Sequence, residues 1–482
     1  MVDKGIFIST AIDYPNAPPH IGHLYEKVCA DVIARWNRLK GEKVHFSTGT
    51  DEYGSKIEKY AKDAGKTPKK FVDEMSVHFI KLCEVYNIKC DDFIRTTEGR
   101  HAKVVNELFM KLYNTGDIYK GKYEGFYCVD CETFLLEKDL ISGKCPVHKK
   151  PAEWLEEESY FFKMSKYKER LIKHIKNDAN FITPKHKAKE ILKRLEEPLK
   201  DLIISRKNVK WCVALPIDKT HTDYIWTMAL DNYLTTIDYP NKKYETFWPG
   251  IHLIGVDIVW HHTVIWGSLL MALGLKLPKV VVHGFITVNG EKMSKSLGNV
   301  LDPIELALEY GVDQIRYYLM REIPFGEDGD FSIKRLKDRV NGELVKELGN
   351  LVSRSLKLTE KVKGKIEGKA ELKIDIKQIN KYMDKFELHH ALDEVFIFIK
   401  HVNKYINDTE PWKLDGKELN NAVYNLCESL RIIAILLHSF IPSTSDKILN
   451  QLGVKLGGFN DCTFKKFEGK PKLGNHLFEL IQ

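Results

Sequence analysis

The chain has 482 residues, 43% of them hydrophobic, which calls for several cores and more than one domain. Lysine and arginine number 74 against 67 acids, a net +7 that suits a polyanionic partner without demanding one. No apolar run is long enough to span a bilayer and the N-terminus lacks a signal peptide's apolar region. Nine cysteines, three of them in one cluster, favour free thiols in a reducing cytoplasm over a disulfide scaffold.

The first informative stretch runs from Phe7 to Glu26. Phe7, Ile8, Thr10 and Ile12 form a short apolar, β-branched run that predicts a buried strand. Pro15, Asn16, Pro18 and Pro19 then force a turn. His20, Ile21, Gly22 and His23 open an amphipathic segment reaching about Lys40. A strand, a tight turn and a helix start make a phosphate cradle, because the helix N-terminus presents free N–H donors and the positive end of its dipole. His20 and His23 are three apart, so both imidazoles share one helical face and can touch one anion, while Gly22 leaves room for a ligand. Two ordinary surface histidines beside a proline turn would read the same way.

Lys43 to Gly49 predicts a second parallel strand, and alternating patterns to about residue 114 fit a βαβ unit. Asp51 follows at that strand's carboxyl end, where ligands bind in such sheets; it could hold an ammonium group or cap a helix. Between about Tyr113 and Leu215 the pattern breaks into short strands, turns and a basic helical run. Cys128 and Cys131 are two apart, and Cys145 and His148 follow as a second ligand pair. Four ligands in this arrangement predict a closed tetrahedral zinc site, structural and not catalytic, which stabilises a knuckle too small for a core.

The α/β pattern then resumes. Tyr224, Ile225 and Trp226 can end a strand, with Ala229 and Tyr233 on one helical face after it. Asp257, beyond the apolar run that starts at His252, is placed at a strand's carboxyl end to bind a ribose hydroxyl. Lys292, Met293, Ser294, Lys295 and Ser296 form a basic, hydroxylated loop just after Asn289-Gly290, suited to a polyphosphate. A helix is predicted from Pro303 to Tyr310 with Gly311 as its C-cap, and another from Asp313 to Met320. From about Ile333 to His438 the period is almost entirely 3.6, as in an α-helical bundle. The tail from Gly457 carries no usable motif.

The pairing of His20-Ile21-Gly22-His23 with Lys292-Met293-Ser294-Lys295-Ser296, in that order and 269 residues apart from His23 to Lys292, resembles the class I aminoacyl-tRNA synthetases, and further segments resemble their methionyl-tRNA synthetase family. The resemblance covers nearly the whole chain. It implies an α/β fold: a Rossmann-type parallel sheet interrupted by a zinc-knuckle insertion and followed by an α-helical bundle. The expected divisions are a catalytic domain at 1–115 and 216–290, the insertion at 116–215, a loop and stem-contact region at 291–345 and an anticodon-binding bundle at 346–482.

It also implies methionine, ATP and tRNA(Met) as partners, structural Zn2+ and Mg2+ with the ATP. His20, His23, Lys292 and Lys295 would be catalytic, with Gly22, Arg206, Gly255 and Asp257 joining them in ATP binding. Ile12, Tyr14, Asp51, Trp226, Ala229, Tyr233, Ile258 and His262 would hold methionine, a long polarisable side chain that suits an aromatic slot. Asn350, Arg354 and Trp412 would read the anticodon, stacking on unpaired bases. Tyr53, Cys212, Met228, Val256 and His261 depart from the usual residues; at Met228 an acid has been lost. These departures leave open a paralogue with another amino-acid or inhibitor specificity, and a non-catalytic tRNA-binding protein is the third reading. No appended dimerisation domain is evident, which points to a monomer.

Overall fold

The fold is that of a computed structural model describing all residues except 1–3, 129–132, 136, 148, 208, 294–297 and 466; of 133, 134 and 155 only the backbone is described. Two compact units emerge. The first comprises Met1–Pro19, His45–Leu82 and Cys90–Val282, the second His20–Val44, Cys83–Lys89 and His283–Gln482.

The first unit is built on a six-stranded sheet. Its strands are β1 (Ile6–Thr10), β2 (Val44–Thr50), β3 (Asp92–Arg95), β4 (Ile182–Thr183), β5 (Ile251–Gly255) and β6 (Lys279–His283), in spatial order β3-β2-β1-β5-β6-β4. β1 pairs with β5, β2 with β3 and β6 with β4, each in parallel. The strands read as near-continuous buried runs because helices cover both faces of such a sheet. The order reverses beside β1, so the carboxyl ends of β1 and β5 border a crevice. Gly49 is obligatory at the β2–β3 pairing, since a Cβ there would lie 2.0 Å from the Ile94 carbonyl oxygen.

Residues 116–215 differ from the short strands expected. Ile118–Cys128 and Glu153–Phe162 form one long antiparallel pair, and Ile182–Thr183 from the same stretch becomes the edge strand β4 of the central sheet. Trp226 also lies elsewhere than expected. The strand ends at Asp223, Tyr224 caps a helix, and Trp226 falls in the first turn of Ile225–Leu230.

The second unit contains the Ile21–Leu39 helix, a small sheet of Ile286–Val288, Glu291–Lys292 and Gly329–Phe331, and the helices Asn350–Thr359, Leu388–Thr409 and Gly416–Leu437. Pro303–Tyr310 forms as the sequence predicts: Asp302 accepts the Ile304 N–H at 2.7 Å, proline occupies the first turn and Gly311 (φ +90°) ends it. Arg316, fully buried, binds Asp31 at 2.7 Å and the carbonyls of Tyr86, Ser439 and Phe440. The C-terminal tail is folded onto this unit, with Cys462, Phe467 and Phe478 buried and Asn341 pairing with the Ile481 backbone.

Candidate active site

The second unit holds the phosphate-cradle residues. His20 is extended (φ −120°, ψ 178°) because the prolines before it forbid helix, and it caps the helix that follows. Its Nδ1 accepts the Gly22 N–H at 3.1 Å, and its own N–H is accepted by His23 Nδ1 at 3.0 Å. Both Nδ1 atoms are therefore unprotonated acceptors, and each imidazole carries its hydrogen on Nε2. The rings lie 3.9 Å apart. Burial, aided by Lys27, lowers the His23 imidazole to about 3, so it acts as a neutral donor at physiological pH. The result is a pair of Nε2–H donors at the positive end of a 19-residue helix.

Gly22 lies between them for a steric reason. A Cβ on it would meet His20 Cε1 at 2.9 Å, and Met293 Cε at 3.7 Å. The start of the helix thus adjoins Met293, the last described residue before the rest of the basic run. That loop leaves the hairpin of Ile286–Val288 and Glu291–Lys292, turned by Asn289 (φ +51°) and Gly290 (φ +81°), and Asp330 accepts the Gly290 N–H at 2.7 Å. Lys292 is exposed, 5.7 Å over the Phe285 ring. Lys295 lies outside the described residues. One step further along the helix, Glu26 bonds His283 at 2.9 Å, a buried pair that local pattern could not reveal.

The first unit holds most of the other residues that the sequence singles out. Asp51 is buried at the end of β2, its N–H bonded to the Asp13 carbonyl at 2.8 Å. It caps no helix; Gly54 does that for Ser55–Asp63. Next to it Glu52 is fully buried and tied to Arg95 and Thr50, while Tyr53 packs on Trp211. Tyr14 and Trp226 pack against the same apolar cluster around Tyr224 and Met228, and Ile12 lies two residues past β1. Ala229 is buried one turn after Trp226.

His261–Ile265 is a π-helical turn, a rare geometry that recurs at functional sites. It presents His261 and His262 together. His261 stacks on Trp226 at 3.9 Å. His262 Nδ1–H donates to the Ile258 carbonyl at 2.9 Å, so its Nε2 accepts the Tyr233 hydroxyl at 2.6 Å. Tyr233 in turn stacks at 3.8 Å on His252, whose Nε2 accepts from Trp266 and whose Nδ1–H donates to Ser9 Oγ. Burial holds His262 at about 4 and His252 well below its usual range, so the network is neutral. Gly255 ends β5 and Asp257 stands exposed in the next turn.

Arg206 lies apart from these residues. It is buried in the inserted region, 3.1 Å from Glu157 and 4.0 Å above the Tyr127 ring. Cys128 and Cys145 are buried and carry no disulfide; Cys131 and His148 lie outside the described residues. Among the described residues no group of three metal-binding side chains forms. Asn350 opens its helix, Arg354 bonds Asn407 at 2.9 Å, and Trp412 is 44% exposed, so it is no sealed anchor.

Comparison with known proteins identifies the family. The family of class I tRNA synthetases (M) matches residues 6–153 and 136–356, and the anticodon-binding domain of tRNA ligases matches 369–475. The methionine–tRNA ligase of Caldanaerobacter subterraneus subsp. tengcongensis is 44% identical over 94% of this chain and 74% of its own length. The chain belongs to the methionine–tRNA ligases. That of Clostridium tetani is also 44% identical, over 100% of this chain and 79% of its own. Among solved structures, Mycobacterium tuberculosis methionyl-tRNA synthetase in complex with methionyl-adenylate superposes with a TM-score of 0.93 at 35% identity, covering 98% of this chain and 99% of that one. The chain is thus a class I aminoacyl-tRNA synthetase, a ligase of protein biosynthesis with an α/β catalytic fold and a helical anticodon-binding region. No described helix is long and apolar enough to cross a membrane.

Proposed function

We propose that this methionine–tRNA ligase performs its reaction with the residues above in the following roles. A methionine carboxylate oxygen attacks the α-phosphorus of ATP, the bond to the β-phosphate breaks, and methionyl-adenylate and pyrophosphate form. A terminal ribose hydroxyl of tRNA(Met) then takes the methionyl group and releases AMP. The protein supplies position and charge, with no covalent nucleophile.

The observation that carries this reading is the His20–His23 box. Its two Nε2–H donors suit the charge that builds on the α-phosphate, and their neutral state means no proton is lost in the process. Gly22 gives the nucleotide room, while Lys292 and Lys295 grip the leaving pyrophosphate. Gly255 and Asp257 take the ribose side of ATP; Arg206 was assigned to ATP on resemblance, and its pairing with Glu157 means it would first have to leave that partner. Asp51 pairs with the ammonium of methionine. Tyr14, Trp226, Ala229, Tyr233, Ile258, His262 and Ile12 enclose the thioether.

Mg2+ screens the ATP phosphates when bound. The buried thiols of Cys128 and Cys145 suit zinc, and with Cys131 and His148 they would hold it as a structural ion. Asn350, Arg354 and the exposed Trp412 face the anticodon, within the five divisions drawn from the sequence. The reading is of a monomeric, cytoplasmic enzyme.

Pyrophosphate exchange into ATP, run with a panel of amino acids, tests this. Methionine alone should drive exchange, and Asp51→Asn should raise the KM for methionine while leaving that for ATP in place. Exchange driven by another amino acid would overturn the assignment.

A further inference from the structure

The helix that carries Trp226 and Ala229 has a second, inward face. Asp223 ends the strand just before it, Thr227 lies within it and Asp231 caps its C-terminal end, and the three side chains meet at one place. They line a cavity of about 20 Å³, room for about one water molecule. The rest of its wall is apolar: Leu108 and Leu112 from the Gly99–Asn114 helix, Ile118, and Leu269 and Leu273. Asp223 is 5% exposed and Asp231 8%. Thr227 Oγ–H donates to Asp223 Oδ1 at 2.7 Å, whereas the Asp231 carboxylate has no hydrogen bond or ion pair among the described residues. No lysine or arginine lines the cavity.

The titratable groups around this face are accounted for. From the Gly99–Asn114 helix, His101 meets its far end, Nδ1 2.9 Å from Thr235 Oγ1 and Nε2 3.2 Å from Met228 Sδ. From the π-helical turn, His261 and His262 pack against the opposite side. Cys212 Sγ donates to the Asp223 backbone carbonyl at 3.2 Å. Burial holds all three histidines neutral, at about 3 to 4. Among the described residues no cation acts on either carboxylate. A bare metal cation needs more oxygen ligands than two carboxylates and one hydroxyl offer. A proton is the counter-charge that fits.

We propose that Asp223 and Asp231 are positioning residues of the methionine pocket, a carboxyl pair that keeps a proton in this cavity and so holds the Trp226 helix in its binding position. This rests on Trp226, Ala229 and Tyr233 being the pocket. Desolvation agrees with it: burial raises Asp223 to about 7, and Asp231 well above its usual range with the Asp223 charge adding to the effect. When the pH rises and the proton leaves to solvent, two negative charges face each other in an apolar hole. The strain falls on the element that sets the Trp226–His261 stack and the Tyr233–His262 bond.

The test is the KM for methionine in pyrophosphate exchange from about pH 6 to about pH 9, for wild type, Asp231→Asn and Asp223→Asn. Wild type should lose methionine affinity about fivefold or more across this range, with kcat and the KM for ATP following a flatter course. Asp231→Asn, an uncharged stand-in for the protonated acid, should flatten the methionine profile, and Asp223→Asn likewise. A flat wild-type profile, or an unchanged one in both variants, overturns the proposal. If neither variant folds, infrared spectra of the wild type decide: a protonated-carboxyl band present near pH 6 and lost toward pH 9 supports it, and absence of that band refutes it. No methionine-dependent exchange at any pH would instead refute the functional reading on which it rests.

Discussion

Gly22 shows how much one missing methyl group decides. The two histidines beside it can both act only because each surrenders Nδ1 to a backbone N–H and keeps Nε2 as donor. A Cβ on Gly22 would lie 2.9 Å from His20 Cε1, closer than real contacts allow, so the ring must rotate away from its cap. Gly22→Ala should therefore lower kcat for adenylation by about 10²-fold, with the protein still folded, because misplacing a charge-stabilising group by about 1 Å costs that much. Single-turnover adenylate formation measures it, and an unchanged rate would contradict the assignment. The spacing of His20 and His23 was legible in the sequence, since a three-residue interval on a helix has one geometric meaning. Their tautomers were not, because they depend on which backbone N–H each ring meets. The same holds for Tyr233 and His262, whose bond joins residues 29 apart.

At the scale of elements, the predicted helices over 20–40 and 303–310 agree with the structure because both carry their own punctuation, prolines before the His20 cap in one, the Asp302 cap before a first-turn proline in the other. β4 was illegible for the opposite reason. Two residues, Ile182 and Thr183, carry no period, and only pairing with β6 makes them a strand. The long pair Ile118–Cys128 and Glu153–Phe162 was missed because lysines and glutamates on its exposed face break the apolar alternation. Arg316 was invisible too, since its carboxylate partner Asp31 lies 285 residues away. It joins the Val312–Glu322 helix to the Ile21–Leu39 helix through a pair that is 0% exposed on both sides. Arg316→Met should cost about 3–5 kcal/mol, as it leaves buried Asp31 with Arg35 alone and strips the buried Tyr86, Ser439 and Phe440 carbonyls of a donor. Urea unfolding followed by fluorescence should show the midpoint falling sharply; a loss under about 1 kcal/mol would show that Arg35, which also binds Asp31 at 2.7 Å, suffices.

For the molecule as a whole, two signatures far apart in sequence identified the family, while the compensations around the pocket needed coordinates. Asp223 and Asp231 stand eight residues apart in sequence, and only the structure shows that they share a cavity. Protonation also governs global stability. His45, His101 and His262 are each held at about 4 by burial, His23 and His261 at about 3, and His252 well below its usual range. Unfolded, each takes a proton below about pH 6.5, so stability present above that value is lost as pH falls toward 4. Asp223 and Asp231 act in the opposite sense, since their raised values favour the native state at low pH, but they are two against these six histidines. The unfolding temperature should therefore drop from pH 7 to pH 5 in scanning calorimetry, and a rise would contradict the buried neutral network.

The central claim is that the neutral His20–His23 pair at a helix start stabilises the phosphate transition state while methionine is held elsewhere. Pyrophosphate exchange by His23→Ala at saturating methionine and ATP, with methionine affinity measured separately by calorimetry, tests it most directly. The kcat should fall by about 10²–10³-fold, as for loss of a preorganised donor, with the Kd for methionine unchanged. Wild-type exchange in that variant, or loss of methionine binding with kcat intact, would contradict it.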